Sequence, residues 1–176
     1  MADVKIFSVD RELPGMENGG GKWVADDTQQ RAAWEIYVEL VTRISVVGLR
    51  PNEGLLSEAL SSLYTLFDST RETLRRYGPE VAQPTADGTL SFGLLSLTLL
   101  NTVLRPVLAK WHPLLMDYES TRAENVSPLE HERNWDKNAE LRRVLNEDVR
   151  GAMVKYADLF AQAAGVPGPT IKHELT

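Results

Sequence analysis

Cysteine is absent from the 176 residues, so the chain has neither a disulfide framework nor a thiolate nucleophile. Histidine is nearly absent too: three residues, with no Cys beside them, leave structural zinc dependent on imidazoles and carboxylates alone. Basic residues are outnumbered 19 to 25 by acidic ones, and the formal charge of -6 argues against a general phosphate- or DNA-binding surface. Long apolar runs are missing as well. The mostly apolar, uncharged stretch Leu90 to Leu104 is about fifteen residues and stops at Arg105, short of the roughly twenty that span a bilayer. The first residues, Met1-Ala2-Asp3-Val4-Lys5, place an acid where a signal peptide carries positive charge, so a cytoplasmic location without a membrane span is expected.

What is present is enough apolar content, 43% of the residues, for one buried core. The pattern of that content predicts an all-α fold, a four-helix-bundle-like domain with long, partly kinked helices. Three regions are expected: a flexible N-terminal arm over 1–25, one helical domain over 26–164, and a flexible tail over 165–176. The arm holds a strand-like run, Val4 to Val9, without an evident neighbour, followed by Gly19-Gly20-Gly21.

Helix 1 is expected to start at the Asp26-Asp27-Thr28 cap and to turn Trp34, Tyr37, Val38, Val41 and Ile44 inward. Helix 2 should run from about Glu53 to Tyr77 on a stripe of Leu56, Ala59, Leu60, Leu63, Phe67, Thr70, Leu74 and Tyr77. Helix 3 should cover Ser91 to Tyr118, with a kink near Thr102 to Pro106 and a second at Pro113, because proline removes a ladder hydrogen bond and crowds the preceding turn. Ser127-Pro128-Leu129-Glu130 marks the start of helix 4 with a capping serine, proline at the first helical position and a glutamate three residues after the cap. Unbroken from Pro128 to Ala164, that helix is on the order of 55 Å long at 1.5 Å per residue.

Chemistry is sparse. Gly15 to Lys22 follows a strand and precedes a helix, as a phosphate loop does, but its glycine–lysine spacing is off and Trp23 stands where a magnesium-binding hydroxyl belongs. No metal and no cofactor is therefore expected. Glu130-His131-Glu132 reads as a solvated first turn, in which negative charge suits the helix dipole.

The remaining constellation is Arg105-Pro106-Val107-Leu108-Ala109-Lys110-Trp111-His112. Its arginine and histidine lie about two turns apart, on roughly one face of a helix. The segment resembles the Arg-x(4–6)-His motif of HEPN-type proteins, four-helix bundles that are often RNases in bacterial toxin and phage-defence systems and pair two motifs across a dimer. That resemblance implies a phosphate-binding role for Arg105 and a general acid/base role for His112 in metal-independent RNA cleavage. Pro106 after the arginine, and a further long helix downstream, depart from the motif's usual setting. On the structural alternative Arg105 satisfies carbonyls freed at the kink or pairs with an acidic residue, Trp111 packs in the core, and His112 caps a turn before Pro113.

Two functional expectations follow. The first is a protein-interaction or assembly module of a bacterial regulatory or defence system, binding a protein partner or a second copy of itself. The second is the metal-independent RNase or toxin using Arg105 and His112, with RNA as substrate.

Overall fold

A computed structural model of the chain describes residues 5–17, 19–43, 48–85 and 87–169. Among those residues it is 64% helical, with five helices and one two-stranded sheet.

The N-terminal run pairs after all. β1 (Lys5–Val9) and β2 (Gly21–Ala25) form an antiparallel hairpin in which Phe7 faces Trp23. Val9, Leu13, Met16 and Trp23 are buried, so over the described part of 5–25 the expected flexible arm is a packed element, while residues 1–4 and Asn18 lie outside the described residues. The glycine run of the expected arm leads into β2. A Cβ at Gly20 would stand 2.0 Å from the Val9 carbonyl oxygen, so only glycine lets the returning strand come this close.

α1 (Asp27–Val41) begins where expected, with the Asp26 side chain accepting from the Gln29 N–H. Its buried face is Gln29, Ala32, Ala33, Ile36 and Leu40, so the expected inward stripe is displaced around the helix. Trp34 is 47% exposed, Tyr37, Val38 and Val41 are half-buried, and Ile44 lies outside the described residues. The cause is small-residue packing: alanines on α1 meet the last helix, where Ala157, Ala161 and Ala163 are also buried, and short side chains let two helices approach closely.

α2 (Leu56–Tyr77) buries Leu56, Ala59, Leu60, Leu63, Leu66, Thr70 and Thr73, close to the predicted stripe but drifting by one position in its second half. Gly78, at φ 81°, ends it, and a 3₁₀ turn (Pro79–Ala82) leads on. α3 (Phe92–Glu119) is capped by Ser91, whose hydroxyl accepts from the Leu94 N–H. The expected distortion ahead of Pro106 takes the form of a π-helical stretch, Leu99–Leu104, after which the Arg105 N–H reaches back five residues to Leu100 O. A widened turn gives room to a proline ring that would clash in a regular one. Pro113 sits inside regular helix.

The expected single long helix after Ser127 is broken. α4 (Pro128–Arg133) ends at Asn134, and α5 resumes as Asn138–Arg143, a π stretch Val144–Val149, and Arg150–Ala164, closing at Gly165 with φ 75°. Trp135, in the break, is the cause. It is buried, edge-on to Trp111 at 6.2 Å and stacked on Tyr118 at 5.5 Å, so the chain turns to deliver it to α3. The Ser127 cap itself is in place, accepting from the Glu130 N–H.

α1 contacts α2 and α5, α2 contacts α3, and the π stretch of α3 contacts α5. One contiguous apolar core joins them to the hairpin. Gln29, fully buried, ties three elements together: its Oε1 accepts from Trp23 Nε1 at 2.8 Å and from the Phe92 N–H at 2.8 Å.

Candidate functional site

α2 and α3 run side by side, and their outer seam carries the two motif residues. Arg105 is exposed, its guanidinium 5.9 Å from the centre of the Phe67 ring, a cation–π distance. His112 is half-buried and meets Tyr64 edge-on at 4.7 Å. Phe67 and Tyr64 are both on α2, so Arg105 and His112 share the α2-facing side of α3. Neither side chain hydrogen-bonds or pairs with an acid among the described residues. The structural alternative is therefore met only in part: Trp111 is buried, but Arg105 does not hold freed carbonyls and His112 caps nothing.

α3 also leaves apolar side chains in solvent. Leu94 and Leu97 near its start are 41% and 43% exposed, and Leu114 and Met116 near its end are 39% and 59% exposed. Leu115, not Leu114, is buried, because the inward row shifts along the helix after the π stretch. The uncharged run that stops at Arg105 is only part of this helix. Over its 28 residues α3 is long and apolar enough to cross a membrane by length and composition, as the partly buried core helix of a water-soluble fold also can be.

The Glu130-His131-Glu132 cluster is not the solvated turn expected. Glu132 is buried, and its carboxylate accepts from the Leu56 N–H at 2.7 Å, the Ser57 N–H at 3.0 Å and the Ser57 hydroxyl at 2.8 Å. It thus caps α2, whose preceding residue, Leu55, has no side chain able to do so. His131 stacks on Tyr118 with ring centres 4.1 Å apart, and its Nε2 lies 2.9 Å from the Tyr118 carbonyl, which fixes the proton on that nitrogen. Beside them Glu119 has a buried Oε1 with no hydrogen-bond partner, and burial followed by the nearby Glu132 charge raises its pKa above the ordinary carboxyl value. Among the described residues, no three His, Asp or Glu side chains converge to hold a metal ion.

One exposed side chain looks like core in the sequence. Trp34 was assigned inward by its spacing, yet it lines two surface hollows on either side of α1. Its signal was present in the neighbours: Ala32, Ala33 and Ile36 offer a second apolar row, and one helix cannot bury both.

No family model, curated protein or solved structure matches the chain.

Proposed function

We propose that the chain is a helical assembly module, a four-helix-bundle-like body that takes a protein partner or a second copy of itself on the outer face of α3. The observation that carries this reading is the set of four large apolar side chains, Leu94, Leu97, Leu114 and Met116, standing in solvent along one helix. A contiguous exposed apolar patch on a compact domain marks a surface that is covered in use, and Leu94 and Leu97, one turn apart on α3, are the pair that supports one here. The closed order of neighbours, α1 to α2 to α3 to α5 and back to α1, supports the bundle-like body. A role as a bacterial regulatory or defence component in the cytoplasm belongs to the same reading.

Light scattering tests it. The intact protein is expected to run above its 19.7 kDa mass, and Leu94→Ser with Leu97→Ser to return it to the monomer. A wild-type monomer that neither self-associates nor co-purifies with a protein would sink the reading.

A second reading is favoured by one observation: Arg105 and His112 both reach solvent on one side of α3 and are free of hydrogen bonds and ion pairs among the described residues. Those are the requirements of a phosphate-binding arginine and a proton-transferring histidine in a HEPN-like RNase or toxin. Mixed RNA incubated with EDTA separates the two readings. Metal-independent cleavage that is lost in Arg105→Ala and in His112→Ala supports the nuclease, and intact RNA with folded protein removes it.

A further inference from the structure

The surface between α1 and α2 holds a hollow of about 350 Å³ lined by Trp34, Glu35, Val38, Glu39, Ser69, Glu72, Thr73 and Arg76. Its size, at the low end for ligand pockets, suits one long side chain rather than a cofactor. Its walls are of two kinds. One is the indole of Trp34, the only one of the four tryptophans that is exposed, since Trp23, Trp111 and Trp135 are all buried. The other is acidic, three glutamates against a single arginine.

The acids are not equivalent. Glu35 is held by Arg76, by the Tyr77 hydroxyl at 2.7 Å and by the Thr73 hydroxyl at 3.5 Å, which fixes its carboxylate in place. Burial and this hydrogen bond to Glu35 raise the Tyr77 pKa, so the phenol stays a donor. Glu39 is paired with Arg43. Glu72 alone has neither a hydrogen bond nor an ion pair among the described residues, although it shares the hollow with Arg76. Arg76 is already engaged by Glu35, so the hollow presents a free carboxylate beside a half-exposed indole, whose ring also meets Tyr37 at 5.8 Å.

From this juxtaposition we propose that the hollow between α1 and α2 receives an arginine side chain from a protein partner, with the guanidinium laid on Trp34 and bonded to Glu72. A guanidinium is the cation that suits both walls at once. It is flat, weakly hydrated and stacks on an indole, while its fork of N–H groups meets a carboxylate with two parallel bonds. An ammonium offers only a point charge and keeps its water more strongly. Tryptophan and arginine are also the residues that most often dominate protein interfaces. The net charge of -6 attracts a basic segment at long range. This surface is distinct from the α3 face, and it rests on the assembly reading for the partner's being a protein.

The test uses the full chain and tetra-arginine, with tetra-lysine and tetra-glutamate as comparisons. Because three tryptophans are buried, a saturable change in intrinsic fluorescence or in acrylamide quenching reports on Trp34. Tetra-arginine is expected to bind at least tenfold more tightly than tetra-lysine, to weaken at least tenfold in Glu72→Gln, and to weaken further as salt rises. In Trp34→Ala binding is followed by calorimetry and is expected to be lost, with circular dichroism showing the helices unchanged. Leu94→Ser with Leu97→Ser should leave tetra-arginine binding intact, so failure of the α3 reading and failure of this one are told apart. Equal binding of tetra-lysine or tetra-glutamate, or undiminished binding in Glu72→Gln, overturns the proposal.

Discussion

Two helices that start within one small region are begun in opposite ways. α4 is started by its own residues, with Ser127 accepting from the Glu130 N–H and Pro128 filling a position that needs no donor. α2 starts at Leu56 after an apolar Leu55, and the oxygen atoms that close its first turn come from Glu132, about seventy-five residues onward in α4. The loop leading into α2 is held from afar in the same manner. Arg142 donates to the carbonyls of Arg50, Glu53 and Gly54, Arg133 donates to that of Asn52, and the Asn146 side-chain amide both accepts from and donates to the Leu49 backbone. A local cap stabilises one helix. A remote cap also fastens two parts of the chain, so its loss is felt at both ends.

That contrast can be broken at four places. The largest effect is expected at Trp111, which with Tyr118 seats Trp135 and so holds α4 against α3, where the remote cap originates. Trp111→Ala should cost about 3 to 5 kcal/mol in denaturant unfolding, as for other large buried aromatics. A loss below about 1 kcal/mol would mean that the aromatic cluster does not anchor α4.

Glu132→Ala comes next, at about 3 kcal/mol, because it leaves two amides and a hydroxyl at a buried helix start without an acceptor. Glu132→Gln keeps one acceptor and should fall between wild type and alanine. Amide exchange sharpens the point: the first turn of α2 should lose protection in Glu132→Ala before its middle does.

Arg142→Ala should cost about 2 kcal/mol, within the range for hydrogen bonds to a charged donor, and the damage should appear in the loop before α2. Ser127→Ala is the smallest, about 1 kcal/mol, and should be confined to α4. If Ser127→Ala cost as much as Glu132→Ala, the distinction between the two kinds of helix start would fail.

Those starts also explain how far the sequence could be read. Asp26, Ser91 and Ser127 cap helices through neighbours three residues away, and all three helix starts lie at or within a residue of their predicted positions. Gly78 and Gly165 end helices through their own backbone freedom, equally visible in one dimension. Glu132 sat in an acidic turn that looked solvated, because nothing nearby in sequence signals that α2 lacks a cap. Trp34 and Trp135 show the same limit with aromatics. Helical spacing makes either an acceptable core residue, yet one is exposed beside a hollow and the other breaks a helix to reach Trp111. The motif pair was legible as a spacing, but Arg105 over Phe67 and His112 against Tyr64 were not.

By itself the sequence determined the helical periods, most of their starts and stops, the turn ahead of Pro106 where the helix had to distort, and the absence of thiol chemistry. These are consequences of backbone geometry and side-chain chemistry over a few residues, which no partner can change. Only the tertiary structure decided which apolar row of α1 is buried, that the glycine run leads into a second strand, that a distant carboxylate begins α2, and that Trp34 faces water. Each of these is a competition between surfaces for one core, and its outcome depends on which distant side chains arrive there.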